Sequence, residues 1–238
     1  MDDLEDIDAI VRRADPDRWL ASRFVADPAA RADVLALYAF NQELARIPFA
    51  VSDPLMGEIR LTWWREAMDE IALGRPPRRH PVVLAVAASS LPPQALADLT
   101  EARDADLETE PFADREAVLA YLDATVGAVT ALAARRLDPA SDAAHVVSAA
   151  RAYGLAALWR LKQTGHRCRL PQAWSGQDIR LEVDGALAAA RAEVGPLPVA
   201  AFPAVAPAAL ARASMAGEPG ALVKRLRLTL AVATGRLG

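Results

Sequence analysis

Three groups of side chains in this sequence have types and spacing that could do chemistry. The acidic run EARDADLETE, Glu101 to Glu110, sets Asp104 and Glu108 four residues apart, and Asp106 and Glu110 likewise. On a helix such pairs share a face and can hold a divalent cation through oxygen ligands. The plainer reading is a solvated helix end. The stretch YGLAALWRLKQTGHRCRLP, Tyr153 to Pro171, contains no acid and carries Arg160, Lys162, Arg167 and Arg169. Those cations could grip a diphosphate or a phospholipid head group by charge-assisted hydrogen bonds. Solvation, or pairing with neighbouring acids, is the plainer alternative. Cys168 is the only cysteine, which excludes an internal disulfide and a thiolate cluster. With His166 two residues away it does not make a dyad, and a spectator thiol is expected. His80, His145 and His166 are too scattered for a local metal motif. No phosphate-binding loop, dinucleotide turn or nucleophile elbow occurs, so nucleotide hydrolysis, dinucleotide redox and serine hydrolysis have no support.

The elements that must position these groups are helices. The 238 residues are 53% hydrophobic but only 5% aromatic. Strong helix formers dominate, and β-branched and aromatic residues do not cluster as strands require. An all-α fold is predicted, in one domain. A formal net charge of −4 leaves no electrostatic footprint for nucleic acid. The N-terminal MDDLEDIDAI lacks the basic and apolar regions of an export signal. The longest uncharged stretch, Val194 to Leu210, is broken by Pro196, Pro198, Pro203 and Pro207. No transmembrane span is expected. The predicted location is cytoplasmic, with attachment to a membrane surface left open.

Caps and prolines mark the predicted helices. Asp15-Pro16 opens one to about Ala26. Asp27-Pro28 precedes one from about Ala30 to Arg46, with Val34, Leu37, Tyr38 and Leu44 on an amphipathic face. Ser52-Asp53-Pro54 caps a helix over about 55–73. His80-Pro81 begins a short one to about Ser90, and Pro92-Pro93 another to near Leu107. Further helices are predicted over about 114–137, 141–163 and 178–194. Gly195 to Pro207 is predicted to be a mobile loop or an apolar wedge, followed by helices near 206–215 and 220–233. In the last, Lys224, Arg225 and Arg227 stand against Leu222, Leu226 and Leu230. That helix could rest on an anionic membrane, or dock on the core with a basic outer edge.

The block MGEIRLTWWREAMDEI, Met56 to Ile71, resembles the G-E-I-R-L-x-W-W-R-D-A-L element of short members of the squalene/phytoene synthase family. Upstream, YAFNQELARIPF resembles that family's first signature, close to F-C-R-x-x-D-D-x-x-D. Phe40 matches, Asn41 and Gln42 replace the Cys-Arg pair, Ala45 and Arg46 replace the two aspartates, and Phe49 falls at the last aspartate. Tyr153 to Pro171 resembles the second signature: Gly154, Ala156, Arg160, Arg167, Leu170 and Pro171 fit, Arg169 stands where Tyr is expected, and the acids are missing. Arg103, Asp104, Tyr121, Thr125 and Gly127 fit a further family element, in which Gly127 is expected to permit close helix packing.

The resemblance implies an isoprenoid-synthase-like helical bundle around a central cavity. Its closest branch is the short, degenerate one typified by the mitochondrial complex I assembly factor of phytoene synthase type. For this chain it implies no catalytic residue, no metal site and no cofactor, and a protein partner among respiratory complex I subunits. A position at the cytoplasmic face of the inner membrane is its alternative location. Tyr38, Asn41, Gln42 and Arg160 would line the former cavity, which a lipid or isoprenoid could occupy. Trp63, Trp64 and Arg65 would face a partner. Two other functions stay open: an active Mg²⁺-dependent prenyl diphosphate condensing enzyme, and an isoprenoid or lipid carrier.

Overall fold

The structure, a computed structural model, describes residues 6–237. Among these there are helices and turns but no strand, as composition predicts. The chain divides into two compact units, residues 1–108 and 109–238.

The first unit begins with α1 (Ile7–Ala14), which has no counterpart among the predicted helices and is capped by Asp6. Three Asp-Pro pairs then start α2 (Pro16–Ser22), α3 (Pro28–Ala45) and α5 (Pro54–Ala72). In each the Asp carboxylate accepts backbone N–H groups of the first turn, and proline at the first helical position has no N–H to orphan. After α3 ends at its cap Arg46, Pro48 lies in the first turn of the short α4 (Ile47–Ala50). The unit closes with α6 (Pro81–Ala87), α7 (Pro93–Ala102) and a 3-10 turn, Arg103–Leu107. Helix α3 is its axis, with Leu37, Phe40 and Leu44 fully buried. Each such side chain contributes roughly 1.5–3 kcal/mol of burial. Gly57 lets α5 close on the 3-10 turn: a Cβ there would lie 2.4 Å from a methyl of Leu107.

In the second unit α8 (Arg115–Leu122), a π turn (Asp123–Gly127) and α9 (Ala128–Leu137) form one run. Its 23 residues are long and apolar enough, by length and composition, to cross a membrane, where no span is predicted. Yet Val118, Leu122, Val129 and Ala133 are buried in the unit, and Asp123 pairs with Arg151 midway along. The run thus packs one face into its unit, with 39% of its apolar stretch buried. Across from it runs α10 (Val147–Gln163). The close approach is made by Gly154 and not by Gly127: a Cβ on Gly154 would sit 2.6 Å from Leu122 Cδ2. Around Gly127 the nearest atoms belong to its own preceding turn. A capping box between Ser175 and Asp178 starts α11 (Gly176–Glu193).

The proline-rich stretch differs most from expectation. From Val199 the chain runs through a 3-10 turn, α12 (Phe202–Val205), a second 3-10 turn (Ala206–Leu210) and α13 (Ala211–Ser214). Every residue from Ala201 to Ala211 is buried. Pro203 and Pro207 do break a regular helix, but the pieces from Ala201 on are short turns in the core of the unit, while Gly195 to Ala200 form a mostly exposed turn ahead of them. The last helix, α14 (Ala221–Thr234), ends on Gly235 in the left-handed region, φ 64°. Of its two predicted placements, docking on the core through the leucine face with a basic outer edge is not the one observed. Lys224 lies inward with Leu228 and Ala231, 4% exposed, while Leu222, Leu226 and Leu230 are 79%, 67% and 61% exposed. The buried ammonium is matched by Glu218.

Candidate functional site

Three of the predicted cavity residues lie on α3, and each has a partner within the first unit. Asp15 ends α1 and caps α2: its Oδ1 accepts the Arg18 N–H at 3.1 Å. Its Oδ2 accepts from Arg18 Nη1 at 3.4 Å and from Gln42 Nε2 at 3.2 Å. The Arg18 guanidinium lies over the Tyr38 ring, 5.3 Å from its centroid. Burial pushes the Tyr38 hydroxyl up to about 12, against the opposing pull of Arg18. Asn41 Oδ1 accepts from Arg103 Nη2 at 2.7 Å, and Arg103 Nη1 pairs with Asp106 at 3.0 Å. Nearly all of these groups are buried. Where charge is taken from water, partners on both sides hold the cost down.

This arrangement does not suit Mg²⁺. The cation takes oxygen ligands in octahedral geometry; Ala45 and Phe49 supply none, and Arg46 is a cation paired with Glu43 at 2.7 Å. The carboxamides of Asn41 and Gln42 are directed at Arg103 and Asp15. In the acidic run the expected one-turn spacing is absent, because the 3-10 turn ends at Leu107 and Glu108 is extended. Asp104 pairs instead with Arg65 at 3.0 Å and Asp106 with Arg103. Among the described residues no group of three His, Cys, Asp or Glu is placed to hold a metal ion.

The tryptophan block is equally committed. Trp64 is in the core, edge-on to Phe40 at 5.5 Å, to Trp63 at 5.0 Å and to His80 at 4.9 Å. A partner cannot reach it, which corrects its assignment to an exposed face; only half-buried Trp63 and Arg65 offer surface. Over Trp63 lies Arg78, 5.1 Å from its ring. Arg78 donates to both oxygens of Glu70 and to Glu66, each at 2.8 Å, and to the Trp63 carbonyl at 3.0 Å. These bonds hold the Glu70 carboxyl below the usual range and the guanidinium above its own. His80 caps α6, its Nδ1 accepting the Val82 N–H at 3.2 Å. Burial, then the nearby Arg46, lowers its pKa. No sequence motif pointed to Arg78; its signal is only the spacing of Glu66 and Glu70, one helical turn apart.

Arg160 belongs to the second unit, where it pairs with Glu218, the carboxylate that also meets Lys224. The rest of the basic stretch is occupied too. Lys162 Nζ donates to the Trp174 carbonyl at 2.9 Å. Arg169 donates to the Glu110 carbonyl at 2.7 Å and stacks over Phe112, 4.3 Å from its centroid. The Cys168 thiol donates to the Leu158 carbonyl at 3.3 Å, and burial pushes its pKa up, as suits an inert thiol.

Residues 11–182 match the squalene/phytoene synthase family. The chain belongs to that family. Its sequence is 29% identical over 121 residues to "NADH dehydrogenase (ubiquinone) complex I, assembly factor 6" of Bos taurus, and 28% identical to its Homo sapiens counterpart. Each match covers 49% of this chain and 35% of the relative, so about a third of those proteins' length is spanned. Among solved structures, a dehydrosqualene synthase superposes with a TM-score of 0.75, covering 96% of this chain and 94% of that one, at 15% identity. Squalene synthase HpnC from Alicyclobacillus acidocaldarius superposes with a TM-score of 0.68, covering 96% and 92%, at 14% identity. The fold predicted from the resemblance, isoprenoid-synthase-like, is the fold observed. These structures carry fold alone.

Proposed function

We propose that this chain is a non-catalytic member of the squalene/phytoene synthase family that serves respiratory complex I, NADH:ubiquinone oxidoreductase, as an adaptor, assembly factor or accessory subunit. One observation carries the reading: the polar face of α3 is spent on internal partners. Where the family resemblance puts Mg²⁺-binding acids stand Ala45, Arg46 and Phe49, and Asn41 and Gln42 beside them are held by Arg103 and Asp15. Departure of a diphosphate needs neutralisation of growing negative charge, and this face has no carboxylate free to recruit a metal for it. Similarity to complex I assembly factors supports the choice of partner. In this reading the 238 residues act as one domain in the cytoplasm, peripherally at the inner membrane. Trp63 and Arg65 are the partner-facing residues, and Tyr38, Asn41, Gln42 and Arg160 are remnants of a cavity lining.

Affinity purification from gently solubilised membranes tests the partner: respiratory-chain subunits are expected to co-purify, and recovery of soluble monomer alone would overturn the assignment. Incubation with prenyl diphosphates and Mg²⁺ tests the chemistry. Release of pyrophosphate no faster than from heat-killed protein is expected. Sustained release above that control would return the chain to the prenyltransferases its fold resembles.

A further inference from the structure

We propose that the outer face of α14 is a docking surface for an anionic lipid bilayer. This deepens the peripheral attachment in the proposed function and rests on it, by naming the surface and the lipid charge. The helix is fixed to its unit by Lys224, Leu228 and Ala231, with the Lys224 ammonium against Glu218. That anchoring determines what faces out. Leu222, Leu226 and Leu230 recur every four residues and form one exposed stripe. Arg225 and Arg227 fall about 100° to either side of Leu226. Both are exposed, and among the described residues neither has an ion-pair or side-chain hydrogen-bond partner.

An apolar centre with a cation on each edge is the cross-section of a helix lying in a membrane interface. The leucines enter the acyl boundary while the arginine stems reach back to the phosphates. Between Ala221 and Thr234 there is no Asp or Glu, although the chain as a whole has a net charge of −4. The local sign therefore opposes the global one and complements an acidic head-group layer. A second copy fits less well, because a symmetric pairing of this face would bring arginine to arginine.

Flotation of the purified full chain with vesicles tests this, comparing phosphatidylcholine alone with phosphatidylcholine mixed with phosphatidylglycerol. Binding to the mixed vesicles only, weakening with salt, is expected. R225Q/R227Q should reduce it by roughly five-fold per arginine, and L226E/L230E should abolish it. Because the leucines are exposed, both variants should melt like the parent by circular dichroism, which separates lost docking from lost folding. No flotation of the parent with the mixed vesicles, or undiminished flotation of L226E/L230E, would overturn the proposal. So would self-association of the parent, by sedimentation, that L226E/L230E removes without affecting lipid binding. No respiratory subunit is present in this assay, so a failed co-purification sinks the choice of complex I and leaves the docking surface standing, and the reverse holds.

Discussion

Helices α5 and α14 are both rich in large apolar residues, and they settle their largest ones in opposite ways. In α5 the tryptophans are committed to their own unit, although Leu55, Met56 and Ile59 in its first turns are exposed: Trp64 meets Phe40 and His80, and Trp63 is roofed by Arg78, itself held by Glu66 and Glu70. In α14 a lysine goes inward and three leucines stay in water. A helix facing only water would gain by turning those leucines in, since each forgoes roughly 1.5–3 kcal/mol of burial. The difference teaches that α5 builds its aromatic cluster into its own unit and leaves Trp63 and Arg65 only half-buried, whereas α14 presents an unbroken leucine stripe.

The sharpest way to break that contrast is at Trp64. Trp64→Ala should cost about 3–5 kcal/mol in urea unfolding followed by circular dichroism, through the cavity left among Phe40, Trp63 and His80. A cost below about 1 kcal/mol would mean the block is surface after all. Next comes Arg103→Met, which strips Asn41 and Asp106 of a shared donor inside the first unit. A loss of about 2–3 kcal/mol is expected in the same assay.

A pH titration of stability probes His80. Its folded pKa lies below the ordinary 6.5, so the unfolded chain binds the proton more readily. Stability from this group is full above 6.5 and declines as pH falls from there through the folded value. His80→Asn, which keeps a capping side chain, should flatten that decline; an unchanged profile would place the acid sensitivity elsewhere. The smallest effect belongs to α14. Leu226→Ser should shift unfolding by less than about 0.5 kcal/mol, and a core-sized loss there would erase the distinction between the two helices.

Much of the first unit was legible because its signals are local. An Asp followed by Pro caps and starts a helix whatever surrounds it, and α2, α3 and α5 begin where such pairs stand. Trp63 and Trp64, about 100° apart on a helix, had to divide between inside and outside, as they do. The site was less legible. Periodicity says that Leu222, Leu226 and Leu230 share a face, but not which face meets the unit; Glu218, outside the helix, decides that by taking Lys224. The internal fates of Asn41 and Gln42 depend on Arg103 and Asp15, distant in sequence, for which no local pattern exists. Prolines in 199–210 forbid a long helix, yet say nothing about burial.

That last stretch carries a consequence for dynamics. Its turns are too short to hold shape by their own hydrogen bonds, and prolines at 203 and 207 remove two donors outright. What keeps it folded is the packing on every side. Its amides should therefore exchange with solvent deuterium only when the whole second unit opens, late and together, while the ends of α14 exchange early by fraying. The segment that looks least ordered on paper would then be the gauge of its unit's integrity.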